Sequence, residues 1–314
     1  VTETPIKEAA MTVSSRDIVV GYDGSDQAEV ALHFAAREAA SLHLPLRIVH
    51  SFSPPMGGSG LGYGTLLPAD ALDSMREGIA LNLEKAGERI RQAQPNLDVS
   101  VVVLVGNPAA GVLSEAEGAA AVVVGSRGLG GFRGLLLGST GIQVASHASC
   151  PVVVVRGEPS VTARTVVVGV DGSDLSQAAL GWAFDYASRH SYGVRAIHAW
   201  TVPSIDFMAA PAAPPADVAT ISDEEMRATA EALAGFRTDF PDVTVEERVV
   251  QKSAAAALLA EAHDAVAIVV GTRGRGEVAG AVLGSVSQGV LHKAKIPVVV
   301  VGSTTGGGPV GTGT

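Results

Sequence analysis

The sequence repeats itself, and that repeat limits the possible folds more than any other feature. DIVVGYDGSD at 17–26 returns as TVVVGVDGSD at 165–174. LRIVH, ending at His50, returns as VRAIH, ending at His198, and CPVVVV at 150–155 returns as IPVVVV at 296–301. The offset is 171 − 23 = 148 at the first motif and 271 − 125 = 146 in the last third of each copy. Two residues are therefore lost midway, and the rest keeps register. A duplicated unit of roughly 145 residues is a normal domain length. The expected domains are 16–157 and 165–302, joined by a short linker at Arg156–Arg164, with flexible tails at 1–15 and 303–314.

Each unit alternates strand and helix. Ile18–Tyr22 is a short apolar run closed by Asp-Gly, as for a strand buried on both faces. Ala31, Leu32, Ala35, Ala36 and Ala39 then form one helical stripe, matched by Ala179, Leu180, Ala183, Phe184 and Ala187. A second strand, Leu46–His50, precedes a helix carrying Leu72, Met75, Ile79, Leu83, Ala86 and Ile90; in the second unit Ser222 and Glu225 read as a capping box. Val99–Val105 is a third strand, Asn107-Pro108 opens a third helix, Ala121–Val124 is a fourth strand, Ser139 starts a fourth helix, and Val152–Val155 is a fifth strand. Such alternation predicts an α/β fold: two tandem Rossmann-like domains, each a parallel sheet with helices on both faces. Ligands bind such sheets beyond the carboxyl ends of the strands. Ser53–Ala69 and Thr201–Ala216, rich in Gly, Pro and Ala, are expected to emerge there as mobile flaps.

The fourth strand of each unit runs into a glycine frame. Val122–Thr140 reads VVVGSRGLGGFRGLLLGST and Ile268–Val286 reads IVVGTRGRGEVAGAVLGSV. Both place Gly, two residues, Gly, nine residues, Gly and Ser in one order: Gly125, Gly128, Gly138, Ser139, and Gly271, Gly274, Gly284, Ser285. The first two glycines permit a tight turn and a close approach of backbone N–H groups to a ligand. Gly138 is expected to adopt a further special backbone conformation. Ser139 opens a helix whose unpaired N–H groups and positive dipole end suit an anion. The frame fits a di- or triphosphate cradle. It lacks the GK[ST] of a Walker A loop, and no G-x-G-x-x-G follows the first strand. A branched side chain at Gly125 or Gly271 is accordingly expected to abolish binding in its own unit with little loss of fold.

This frame, with the openings VVGYDGSD and VVGVDGSD, resembles the nucleotide-binding branch of the universal stress protein family. The layout is similar to the tandem two-domain form common in actinobacteria, and the resemblance covers residues 16–302. It implies a five-stranded sheet of order 3-2-1-4-5 in each unit, with ATP, with or without magnesium, lying across the ends of strands 1 and 4. By position it implies Gly21 and Asp23 beside adenine and ribose, and Ser51 lining the same pocket. Gly125, Ser126, Arg127, Gly128, Leu129, Gly130 and Gly131, with Gly138, Ser139 and Thr140, would wrap the phosphates. The matching positions are Gly169, Asp171 and Ala199, then Gly271, Thr272, Arg273, Gly274, Arg275, Gly276 and Glu277, then Gly284, Ser285 and Val286. The implied role is a nucleotide-dependent binding module in stress response or growth regulation, not an enzyme. A hydrolase or transferase of adenine nucleotides on the same fold, and an interaction protein that has lost one site, are the alternatives. No HxGH or SGGxDS motif, and no general base beside the loop, favours the enzyme.

The remaining residues set bounds. With 22 Lys and Arg against 32 Asp and Glu, a net charge of −10 argues against nucleic acid and against an anionic membrane surface. A small anionic ligand held by a backbone nest remains compatible. No apolar run reaches the ~20 residues of a membrane span, and residues 1–17 hold no hydrophobic signal core, so a cytoplasmic protein is expected. Cys150, the single cysteine, reads as a buried apolar residue. Asp23 and Asp171 fit either an Asx turn or a ligand contact, and Arg127 and Arg273 fit either phosphate pairing or solvated charge. His50 and His198 read as histidines at the edge of the core, with no metal expected, and His147 and Lys293 as cations complementing a helix end. The valine runs should form the edge strand of each unit and pair within the chain, making an internal pseudo-dimer; a homodimer is a further possibility.

Overall fold

In the computed structural model the residues described are 16–54, 69–129, 137–201, 218–274 and 283–302. Both tails, residues 55–68 and 202–217 of the expected flaps, and Gly130, Gly131, Arg275, Gly276 and Glu277 of the glycine loops lie outside them. The first unit runs β1 (Ile18–Gly21), α1 (Asp26–Leu42), β2 (Leu46–Phe52), α2 (Ala69–Ala93), β3 (Val99–Val105), α3 (Pro108–Glu115), β4 (Ala121–Gly125), α4 (Ser139–His147) and β5 (Val152–Val155). The second runs β6 (Thr165–Val170), α5 (Asp174–His190), β7 (Gly193–Trp200), α6 (Val218–Asp239), β8 (Val245–Gln251), α7 (Ala254–Glu261), β9 (Ala265–Gly271), α8 (Ser285–Lys293) and β10 (Val298–Val301).

Strand pairing is parallel within each unit, and the described strands form one ten-stranded sheet in the order β3-β2-β1-β4-β5-β10-β9-β6-β7-β8. The valine runs join the halves: β5 and β10 pair antiparallel, with Val153 opposite Val299. Each run ends its own unit, yet each lies at the centre of the whole sheet, so neither valine strand is left as an open edge. Alternation along the strands feeds two cores. Ile18, Val20, Val153 and Val299 pack with α1, α2, α5 and α6, whereas Val19, Val152, Val154 and Val298 pack with α3, α4, α7 and α8. Because β5 and β10 are antiparallel, the carboxyl ends of the two parallel sets point to opposite ends of the sheet. Two side-chain ties reinforce the seam. Arg156, just after β5, donates to the carbonyl of Leu291 in the last turn of α8, where a cation suits the helix dipole. Arg189 and His190 of α5 meet Glu38 of α1 at 3.5 and 3.4 Å.

Two sequence expectations need correction. Ser222 does not cap a helix, since α6 already begins at Val218. Glu225 instead reaches the buried His198 at 2.8 Å, whose Nδ1 lies 2.8 Å from the Val170 carbonyl. Met75 is 36% exposed, unlike the fully buried Leu83, Ala86 and Ile90 of the same stripe. The 25-residue α2 is about 38 Å long at 1.5 Å per residue. The 7-residue β3 spans about 23 Å, so the first turns of α2 overhang the sheet.

Candidate functional site

The β1–α1 turn is built by its own sequence. Gly24 sits at φ +83°, a conformation glycine adopts without strain. Asp23 Oδ1 accepts the Ser25 amide at 3.0 Å, and Ser25 Oγ caps α1 by accepting the Ala28 amide. The Asx-turn reading of Asp23 holds, and its other oxygen has a further partner, because Oδ2 accepts the Leu129 amide of the glycine loop at 2.8 Å. The loop is thus clasped to the end of β1. Ser25 Oγ also lies 3.3 Å from the Arg127 carbonyl, adding a second clasp. In the second unit Asp171 Oδ1 accepts the amide and the hydroxyl of Ser173.

The glycines of the frame serve different ends. A Cβ on Gly125 would stand 2.8 Å from the backbone carbon and oxygen of Gln27 in α1. A Cβ on Gly128 would stand 2.3 Å from Asp23 Oδ2, and one on Gly274 would stand 2.5 Å from Asp171 Oδ2. These glycines make room for protein, so substitution at Gly125 acts on the packing of α1, contrary to the expectation of an intact fold. Gly138 also departs from expectation. Its φ of −76° and ψ of 152° are ordinary extended backbone, and its Cβ would meet nothing closer than 3.6 Å. Gly284, at φ −74°, is alike.

What distinguishes Gly138 and Gly284 is the helix they open. Neither α4 nor α8 has a side-chain cap, and neither does α7 behind Ser253, whereas Ser25, Asn107 and Ser173 each cap their helices. The first N–H groups of α4 therefore begin at the first cleft with no N-cap side chain to accept them. The first cleft, about 470 Å³, is lined by Gly21, Asp23, Ser51, Gly125, Arg127, Gly128, Gly138, Ser139 and Thr140 from the expected set. The second, about 250 Å³, is lined by Gly169, Asp171, Ala199, Gly271, Arg273, Gly274, Gly284, Ser285 and Val286. Ser126, Leu129 and Thr272 are not brought to the walls. Ser126 follows Gly125 on the opposite side of the chain, and its hydroxyl is buried 3.1 Å from Gln27 Oε1. Leu129 is turned out to solvent, while Thr272 is buried, its Cγ2 3.7 Å from a Cβ built on Gly302.

Sequence reasoning missed the apolar wall. Val49, Val112, Val124 and Leu137 line the first cleft, and Val170, Ile197, Leu258 and Val270 the second. The available signal was alternation: Val49 lies two residues before Ser51 and shares its face. The cleft thus has an apolar wall from the sheet and α3, and a polar end at the start of α4. Ser51 Oγ donates to the Asn107 carbonyl at 3.2 Å, tying β2 to the start of α3. Burial lowers the pKa of His50, opposed by the nearby Asp23 carboxylate. Burial, then repulsion from Arg127, lowers that of Arg156, so two guanidinium groups stand near one another beside the first loop. Burial pushes the Cys150 thiol up to about 11, as suits an inert core residue. Among the described residues, no group of three or more His, Cys, Asp or Glu is placed to hold a metal ion. No helix among them is long and apolar enough to cross a membrane.

Known proteins share this architecture and sequence. The profile of the universal stress protein family matches residues 14–156 and again 162–302. Universal stress protein Rv2005c of Mycobacterium tuberculosis is 33% identical over 299 residues, covering 90% of this chain and 96% of its own. Rv2623 of the same organism is 34% identical over 294 residues, covering 91% and 96%. Among solved structures, a universal stress protein of Archaeoglobus fulgidus superposes with a TM-score of 0.66 at 20% identity, covering 91% of this chain and 96% of its own, which speaks to the fold. With two matched domains spanning nearly its whole length, the chain belongs to the universal stress protein family.

Proposed function

We propose that the protein binds an adenine nucleotide, ATP, at the carboxyl end of its sheet and acts as a nucleotide-dependent binding module in stress response or growth regulation. The observation that carries this reading is the uncapped start of α4, opening at Gly138 onto a cleft with an apolar wall. Phosphate oxygens would accept the free N–H groups of α4 and the hydroxyls of Ser139 and Thr140, with Arg127 beside them. The base would lie on Val49 and Val112, and Asp23, at the end of β1, suits the hydroxyls of a ribose. A volume of 470 Å³ lies within the roughly 300–1,000 Å³ of ordinary ligand clefts. Any magnesium would be held mainly through the phosphates, as it commonly is. Domain limits of 16–157 and 165–302 and a cytoplasmic location belong to the same proposal.

The test is the nucleotide content of freshly purified protein, released by denaturation, together with titration of nucleotide-free protein with ATP, ADP, AMP and GTP. Bound ATP with negligible phosphate release supports a binding module. Steady release of phosphate would replace that reading with a hydrolase, and absence of adenine-nucleotide binding would overturn it.

A further inference from the structure

We infer that the two clefts are not equivalent: the chain binds one nucleotide, in the N-terminal cleft, and the C-terminal cleft is closed to it by its own side chains. This inference rests on the proposed nucleotide site. The two clefts align residue by residue, and their walls differ in both directions: Tyr22 and Pro108 of the first become the smaller Val170 and Ala254 of the second, at the cleft's edge, while three other positions grow. Val49 becomes Ile197, Val112 becomes Leu258, and Gly141 becomes Ser287. All three changes add heavy atoms to the wall of the second cleft. Leu258 Cδ1 stands 3.3 Å from the Cβ position of Gly169 and Val112 Cγ2 3.2 Å from that of Gly21, so both residues sit at the foot of their clefts and Leu258 brings one carbon more. Ser287 Oγ donates to the carbonyls of Gly271 and Thr272 at 2.7 and 3.1 Å, holding the glycine loop down onto the first turn of α8. Gly141 has no side chain with which to do this.

The second cleft is also the smaller, about 250 Å³ against 470 Å³. That places it below the roughly 300 Å³ at which ordinary ligand clefts begin. Its polarity changes in the same direction. The hydroxyls of Ser51 and Thr140 are replaced by Ala199 and Val286, so two groups able to hydrogen-bond a ribose or a phosphate are gone. Room and hydrogen bonds are lost together, although the frame Gly271, Gly274, Gly284 and Ser285 is kept. The retained glycines have a separate reason to stay, because Gly274 makes way for Asp171 and Gly271 for α5, whose Leu175 Cβ would lie 3.0 Å from an added Cβ.

The test counts ATP equivalents on the nucleotide-free full chain by calorimetric titration. The unaltered protein should bind one. The triple variant Ile197→Val, Leu258→Val, Ser287→Gly should bind two, and the reciprocal variant Val112→Leu, Gly141→Ser should bind none. Denaturant unfolding and segment-resolved hydrogen exchange verify that each variant is folded. The reciprocal pair is sterically mild, since a Cβ on Gly141 meets nothing closer than 3.6 Å. Two equivalents on the unaltered protein would overturn this inference while leaving the nucleotide reading intact. One equivalent that persists in the folded reciprocal variant would overturn it too, by placing the ligand elsewhere. A folded, widened variant that still binds only one would refute closure by these side chains. No binding in the unaltered protein overturns the nucleotide reading, and this inference with it.

Discussion

Gly125 and Gly138 occupy the same sequence frame, and the structure predicts opposite consequences for substituting them. An alanine Cβ at Gly125 would sit 2.8 Å from the Gln27 carbonyl group and 3.1 Å from the Ala28 nitrogen. Carbon contacts settle near 3.5–4.0 Å, so α1 would have to retreat by about 0.7 Å or more. It has nowhere to go. Ala31, Leu32, Ala35 and Ala39 along α1 are fully buried against the sheet, and Ser25 pins its first turn to the Arg127 carbonyl. Overpacking of this kind costs about 1–3 kcal/mol, and Gly125→Val should cost more than Gly125→Ala. Gly138→Ser behaves otherwise. Its Cβ fits at 3.6 Å, the backbone is already that of an N-cap, and serine is a preferred cap residue. It should stabilise α4 by roughly a few tenths of a kcal/mol and weaken ATP binding, because its hydroxyl takes the amide that a phosphate would use. Segment-resolved hydrogen exchange without ligand reads the first effect in α1 and α4, and calorimetry reads the second. Tryptophan fluorescence would miss both, since Trp182 and Trp200 lie in the second unit. Unchanged protection of α1 in Gly125→Ala would refute the packing argument, and undiminished affinity in Gly138→Ser would refute the role of the helix start.

Three further outcomes follow from the seam and the ion pairs. Val153→Lys with Val299→Lys puts two like charges opposite each other at the centre of the sheet, where an unpaired buried charge costs several kcal/mol; small-angle scattering should show a larger radius, and an unchanged profile would contradict the β5–β10 pairing. The Arg195 guanidinium hydrogen-bonds to Asp264 and Glu246 and holds both carboxyls below their ordinary values of 3.8 and 4.5. Carboxyl groups depressed in the folded state stabilise it above those ordinary values and lose that contribution as pH falls through the folded ones. Arg195→Met should therefore flatten acid unfolding of the second unit below about pH 4.5, and an identical acid limb would show that the pairs contribute nothing. Cys150, with its thiol pushed up to about 11, should resist alkylation at neutral pH until the protein is denatured; rapid labelling of the native protein would contradict its burial.

Strands and helix stripes were legible because the chain writes each of them twice. A continuous β-branched run such as Val152–Val155 reads as a strand buried on both faces, and its repeat at Val298–Val301 supplied the partner. Local signals failed where tertiary contact decides. Ser222 and Glu225 have the spacing of a capping box, but α6 starts a turn earlier and Glu225 is drawn to His198 instead. Met75 has the right periodicity for burial, yet the sheet ends before it does. Nor does sequence announce that α1 and α5 end on left-handed residues that are not glycine, His43 and Ser191, each donating its amide back into the last turn.

The candidate site was half legible for a physical reason. A glycine in a sequence says only that a Cβ is missing. It does not say whether the vacated space belongs to backbone, to a neighbouring side chain or to a ligand. In this loop the three glycines divide those roles. Gly125 yields its space to α1, Gly128 yields to the carboxylate of Asp23, and Gly138, where a Cβ would fit in ordinary contact with the Ser126 and Arg127 backbone, stands at a helix start that carries no side-chain cap. Only at the third would a side chain fit without displacing protein, so packing alone does not account for its absence there. The same logic applies to the apolar wall. The change from Val112 to Leu258 looks like a neutral exchange of aliphatic residues in the sequence. It acquires meaning once α3 and α7 are seen to carry these positions over Gly21 and Gly169, at the foot of the two clefts.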